Sequence, residues 1–199
     1  MHLHKADVVD AAVALLDMYG LADLTMRRLA RELDVSPGAL YWHFARKQQL
    51  LGAVADRILA PACAVPTAVG WRCAVELVST RLRDALLSCT DGAELVSASF
   101  AAGESDAATQ VLALLNTAAR EAGMDGEQAE LAARTVVYYV LGFTADEQSR
   151  LQWDAAGALP ERQSVLATNP SLRFAFGLRL LIEGIGAGVE VDVSPAKTE

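Results

Sequence analysis

Thr25-Met26-Arg27-Arg28-Leu29-Ala30-Arg31-Glu32-Leu33-Asp34-Val35-Ser36-Pro37-Gly38-Ala39-Leu40-Tyr41-Trp42-His43-Phe44 places two short helical segments around a tight connection. Thr25 can serve as the N-cap of the first segment, although Arg28 takes the third helical position, where a reciprocal capping box would want Glu. Asp34-Val35-Ser36 leaves room only for a tight turn. Ser36-Pro37 then reads as an N-cap followed by proline at the first helical position, where its missing N–H costs nothing. A short helix, a three-residue turn and a second short helix is the layout that offers one helix to the DNA major groove.

Longer helices should brace this unit on both sides. Over residues 5–19, Val8, Val9, Ala12, Val13, Leu15 and Leu16 recur at helical spacing and Gly20 follows as a stop. Residues 47–60 carry Leu50, Leu51, Val54, Ile58 and Leu59 on one side, before Pro61 and Pro66 interrupt. The domain boundary is expected there, dividing the chain into residues 1–62 and 63–199. In the N-terminal unit Leu29, Leu33, Val35, Leu40 and Phe44 would form the buried brace. Arg27, Arg28, Ala39, Tyr41, Trp42, His43 and Lys47 are free to face outward, where cations and hydroxyls can bond phosphate oxygens. An aromatic run is often core rather than contact; Phe44 is assigned to the core, Trp42 fits either role, and Tyr41 and Lys47 fit phosphate contact better.

Beyond the prolines the periodicity is helical throughout: residues 71–88, a short stretch near 93–98, then 106–122, 126–150 and 170–186. Gly103, the 123–126 stretch and residues 157–160 punctuate these as turns, and residues 191–199 read as a frayed tail. The expected fold is all-α: a three-helix DNA-binding head and a larger helical domain. No run of about 18 uncharged apolar residues and no signal core is present, so a cytoplasmic protein without membrane attachment is expected. The net charge of −8 is unevenly spread, because residues 1–60 hold seven basic and seven acidic groups and all the excess acidity lies beyond them. DNA binding must therefore rest on local placement of cations. Cys63, Cys73 and Cys89 lack paired spacing or nearby histidines, so neither a zinc site nor a disulfide framework is implied, and they read as small buried hydrophobes. Neither a recognisable nucleophile elbow nor a glycine-rich phosphate loop appears, which argues against an enzyme, and no cofactor is implied.

Leu24-Thr25-Met26-Arg27-Arg28-Leu29-Ala30 and Leu40-Tyr41-Trp42-His43-Phe44, followed by Lys47 and a leucine-rich helix, resemble the DNA-binding signature of the tetracycline-repressor-like regulators. Ala85-Leu86-Leu87-Ser88, Asp91-Gly92-Ala93, Leu141-Gly142, Asp146-Glu147-Gln148 and Phe176-Gly177-Leu178 extend the resemblance to the C-terminal domain of that family's tetracycline-responsive branch. The resemblance implies a homodimer on double-stranded operator DNA that answers to a small-molecule effector. It implies that Arg27 reaches a base edge, that Pro37, Gly38 and Ala39 lie against bases, and that Thr25, Ser36, Tyr41, Trp42, His43 and Lys47 serve the same interface. Pro37-Gly38-Ala39 offers almost no side-chain hydrogen bonding, so Arg27, with Arg28, and DNA shape should supply the specificity.

The same resemblance locates a ligand site. Where that branch holds a drug-chelated metal with a histidine, this chain has Val96, which cannot ligate one. The positions matching its polar drug contacts are Val78, Leu82 and Leu112, all apolar, while Ser99 keeps a hydroxyl, Phe100 replaces a basic residue and Asp146 keeps a carboxylate. A metal-independent site for a fairly apolar ligand is expected, with Phe100, Arg134 and Tyr138 as specificity groups. Tyr138 and Tyr139 cannot both face it, since adjacent helical residues point about 100° apart. The alternative is a regulator that takes no ligand and acts as a DNA-bound or protein-binding scaffold; a cavity filled by side chains would favour it.

Overall fold

The computed structural model describes residues 3–64, 69–160, 164 and 169–188. Among them nine helices run in the order α1 (Lys5–Tyr19), α2 (Met26–Glu32), α3 (Pro37–His43), α4 (Lys47–Cys63), α5 (Trp71–Leu87), α6 (Gly92–Ala102), α7 (Asp106–Glu121), α8 (Gly126–Ala155) and α9 (Pro170–Ala187). The described residues contain no strand, and no helix among them is long and apolar enough to cross a membrane. The stretch 191–199, read as a tail, and Pro66 lie outside the described residues.

The head follows from its local chemistry. Gly20 ends α1 with φ of 78°, and its N–H returns to the Leu16 carbonyl at 2.8 Å. The Thr25 hydroxyl oxygen accepts from the Arg28 N–H at 3.1 Å and the Ser36 oxygen from the Ala39 N–H at 3.3 Å, so both expected caps form. The turn between α2 and α3 turns on Asp34, whose φ of 52° is left-handed, with the Val35 N–H closing on the Ala30 carbonyl at 2.9 Å. Val8, Leu16, Leu24, Leu29, Leu40, Phe44 and Leu50 fill the centre with at most 1 % of their surface exposed.

Three helices outrun the sequence expectation. α4 passes through Pro61 to Cys63, forfeiting the bond that a residue 61 N–H would make to the Arg57 carbonyl, while Ala62 is wholly buried. α6 spans Gly92–Ala102, ended by Gly103 at φ 67°. α8 runs to Ala155, where Gly157 at φ 67° and a bond from the Ala158 N–H to the Trp153 carbonyl close it.

α4 packs on α1 on one side and on α5, α6 and α7 on the other, and so joins the two units. Its Gly52 lies so close to the α6–α7 connection that an added Cβ would stand 1.9 Å from the Glu104 carbonyl oxygen. Asp56 accepts from the Ser105 hydroxyl at 2.7 Å and the Ala107 N–H at 2.9 Å, capping α7 from across the boundary.

The larger unit has one polar girder. Arg83 of α5 makes a two-pronged bond to Glu147 of α8, at 2.9 and 2.6 Å, with both side chains under a tenth exposed and the Phe174 ring of α9 5.1 Å from the guanidinium carbon. Next along α8, Gln148 accepts from the Ala93 N–H and donates to the Leu86 and Cys89 carbonyls, tying α8 to the α5–α6 turn. Tyr139 turns toward α9, donating to the Phe174 carbonyl at 2.8 Å, and burial pushes its pKa up, which keeps that donor protonated. Gly177 permits this approach, since a Cβ there would meet the Tyr139 hydroxyl at 2.4 Å. Of the cysteines only Cys89 is buried; Cys63 is half-buried and Cys73, on the outer side of α5, is exposed, contrary to the expectation of three buried thiols.

Candidate nucleic-acid interface and ligand site

The outer face of the head carries the groups expected to meet DNA. Arg27 is exposed and has no ion-pair partner among the described residues. Tyr41 and Trp42 stand out at 51 % and 90 % exposure, which settles Trp42 as a surface group. Pro37 and Gly38 are exposed, while Ala39, His43 and Lys47 are half-buried along α3 and the start of α4. Thr25 and Ser36 use their oxygens as helix caps, leaving each hydroxyl hydrogen available to an acceptor. Arg28 is placed differently from its neighbour: it is half-buried, ion-paired to Asp23, and its guanidinium carbon lies 3.8 Å from the centre of the Tyr19 ring. Those contacts make it a brace between α2 and the end of α1 rather than a free reader of bases.

Two further cations of the head take tertiary partners, one of them in the larger domain. Lys5 places its ammonium 4.9 Å from the Phe44 ring centre, and Arg46, at the start of α4, pairs with Glu104 at 2.9 Å. Both placements depend on tertiary neighbours that local pattern does not reveal, although the adjacency of Arg46 to Lys47 is visible in the sequence.

The expected ligand residues fall in several places. Leu82, Val96 and Phe100 line an interior cavity closed by Leu59, Ala108, Val111, Val137 and Leu141, with a volume of about 10 Å³. Val78 and Ser99 are buried in the core, and the Ser99 hydroxyl has no hydrogen-bond partner there. Leu112 is half-buried on α7. Tyr138 belongs elsewhere, to a groove of about 680 Å³ between α6 and α8, and meets Phe100 edge-to-face at 6.1 Å between ring centres. Asp146 is drawn into neither space, whereas Arg134 lies at the Tyr138 end of the groove, bonded to the Tyr138 side chain and with its guanidinium carbon 6.0 Å from the Phe100 ring centre, so Phe100, Arg134 and Tyr138 do come together. Arg134 and Asp146 are both helix-surface residues paired one turn away, Arg134 with Glu130 at 3.0 Å and Asp146 with Arg150 at 2.7 Å, because each has an opposite charge in reach on its own helix.

A compact head with a short exposed helix, a free arginine at its flank and a larger helical domain behind it defines a helix-turn-helix DNA-binding regulator. Comparison with known proteins agrees along most of the chain. The model for "Bacterial regulatory proteins, tetR family" matches residues 8–54 and that for "Tetracyclin repressor-like, C-terminal domain" matches residues 66–172. The chain belongs to the tetR family of transcriptional regulators, which are not enzymes. The class E tetracycline repressor protein of Escherichia coli is 31% identical over 197 residues, 92% of this chain and 91% of that one. The crystal structure of Mycobacterium smegmatis BioQ is 58% identical, covers 94% of this chain and 100% of that chain, and superposes with a TM-score of 0.88. A structure of BioQ with its natural double-stranded DNA operator is 56% identical over 94% of this chain and 99% of that chain, with a TM-score of 0.81.

Proposed function

We propose that this protein is a homodimeric repressor that works in the cytoplasm, holding its operator through residues 1–62 and receiving a small-molecule effector in residues 63–199. One observation carries the reading: around a buried apolar centre, Arg27 in α2 and Tyr41 and Trp42 in α3 are left exposed. Energy left unspent inside the fold is available to DNA. The operator complex of BioQ, to which this chain is similar over nearly its full length, supports the same use of the head.

In this mechanism each head enters a major groove, Arg27 bonds a base edge, and Thr25, Ser36, Tyr41, Trp42, His43 and Lys47 hold phosphates around it. Effector binding favours a spacing of the two heads that no longer fits successive grooves. A fluorescence-anisotropy titration against DNA from upstream of the protein's own gene, at fixed salt and with random DNA as control, tests the operator half of the reading. Preference for the upstream DNA that disappears in Arg27→Ala is the expected result; equal binding of both DNAs contradicts it. A second reading, a regulator with no effector, is favoured by one specific observation, the near-complete filling of the interior cavity by Leu82, Val96, Phe100 and their neighbours.

A further inference from the structure

We infer that the effector is received in the open groove between α6 and α8, outside the domain's interior, and that it is a neutral or cationic amphipath with a flat apolar body and N–H donors at one end. This rests on the effector-responsive reading above. An interior cavity of about 10 Å³ has room for a single water at most, whereas the groove, at about 680 Å³, is of the size that takes small molecules. One layer of side chains separates the two: Leu141 faces both, and Phe100 on the inner side abuts Tyr138 on the outer.

The groove owes its room to small residues on both helices, Ala98 and Ala101 of α6 opposite Gly142 and Ala145 of α8, which leave a flat floor beside the Tyr138 ring. Its charge is one-sided. Asp91 and Glu94 line it, while no lysine or arginine does. Arg134, against Tyr138 at one end, is already paired with Glu130, so an anionic ligand would meet the two carboxylates with no free counter-charge, while a ligand bearing N–H donors would find acceptors.

Asp91 also connects this groove to the reading head. One of its oxygens accepts from the Leu21 N–H, in the α1–α2 turn, at 2.9 Å, and the other from the Gln152 side chain of α8 at 2.7 Å. A ligand donor that takes this carboxylate competes with a direct tie between the groove and the head. Binding there and operator binding are then coupled in both directions.

Benzamidine, a planar aromatic amidinium, is the probe, and benzoate is its anionic counterpart of the same shape. Both are titrated into the full-length protein, followed by saturation-transfer NMR and by operator affinity in anisotropy, for wild type, Ala98→Trp and Glu94→Gln. Circular dichroism checks that each variant is folded. So small a fragment binds at about 1–10 mM. The expected pattern is benzamidine binding without benzoate binding, its loss in Ala98→Trp, weakening in Glu94→Gln, and a drop of about threefold or more in operator affinity at saturation. Equal binding of benzoate, no benzamidine signal, undiminished binding by folded Ala98→Trp, or operator affinity that ignores bound benzamidine overturns the inference. Wild-type operator binding without any probe is read from the same titrations, so failure of the regulator reading is seen separately from failure of the groove.

Discussion

At the scale of single residues, two adjacent arginines divide the work of the head. Arg28 spends its charge on Asp23 and its planar face on Tyr19, so its truncation should lower thermal stability along with binding. Arg27 spends nothing within the described fold, and Arg27→Ala should cost about 1–3 kcal/mol of specific operator binding while the melting temperature stays put. Lys47→Ala should instead weaken binding to every DNA and reduce the slope of log affinity against log salt by about one. Measured side by side, an Arg27→Ala loss shared equally by random DNA would contradict its assignment to base recognition. Sequence alone could not separate the two arginines, because the partners that occupy Arg28 are brought to it by the packing of α1 on α2. The thiols are separated by the same kind of tertiary placement. Cys73 is exposed, whereas burial, reinforced by Asp17 and Asp91, pushes the Cys89 pKa up to about 11. Maleimide labelling near pH 8 should therefore modify Cys73 in the native protein and reach Cys89 only after unfolding, because the thiolate is the reactive form. Mass spectrometry of the labelled peptides reads this directly, and early modification of Cys89 would contradict its placement.

At the scale of elements, what could be read beforehand was what the chain encodes locally. Ser36-Pro37, Thr25 and Gly20 mark helix ends by hydrogen bonds within a few residues of themselves, and all three ends fall where the sequence puts them. The extension of α4 through Pro61 was not legible, since the burial of Ala62 that favours it comes from the other domain's packing. The ligand residues show the same limit. Family resemblance brought Leu82, Val96 and Phe100 to one cavity, but not how tightly large side chains close it, and it placed Arg134 and Asp146 without the pairs each makes on α8. Gly52 exposes the junction most sharply. Its lack of a side chain lets α4 touch the backbone at Glu104, next to the Arg46 ion pair and the Asp56 cap on α7. Gly52→Ala would gain helix propensity of about 1 kcal/mol in an isolated helix. Here the added methyl runs into backbone, and a net destabilisation of about 1–3 kcal/mol is expected in denaturant unfolding, with weakened operator binding as the head shifts. A stabilised Gly52→Ala protein would show that the junction is loose.

At the scale of the whole molecule, the outward faces of α8 and α9 ask for a partner. Leu131 of α8 and Leu172, Phe176 and Leu180 of α9 remain 42–68 % exposed, and between the two helices runs an apolar groove of about 330 Å³ lined by Leu131, Val136, Leu180 and Ile185. A monomer left in water with this surface would be prone to aggregate, whereas a second copy related by a two-fold axis would bury it symmetrically. The arrangement is braced from within, because Arg83–Glu147 and the Tyr139 hydroxyl fix α9 on α5 and α8 before any partner arrives. Dimerisation and DNA binding should consequently fail together. A lone head meets one half-site, while two heads joined by a rigid domain meet two, the second at high effective concentration. Phe176→Asp combined with Leu180→Asp puts two carboxylates at the exposed centre of α9, where they disturb little of the monomer's own core. Light scattering after gel filtration should show a folded monomer of half the wild-type mass, and operator affinity should drop by about 100-fold or more. A dimer that survives both changes would move the interface off α9, and a monomer that keeps wild-type affinity would separate operator binding from pairing altogether.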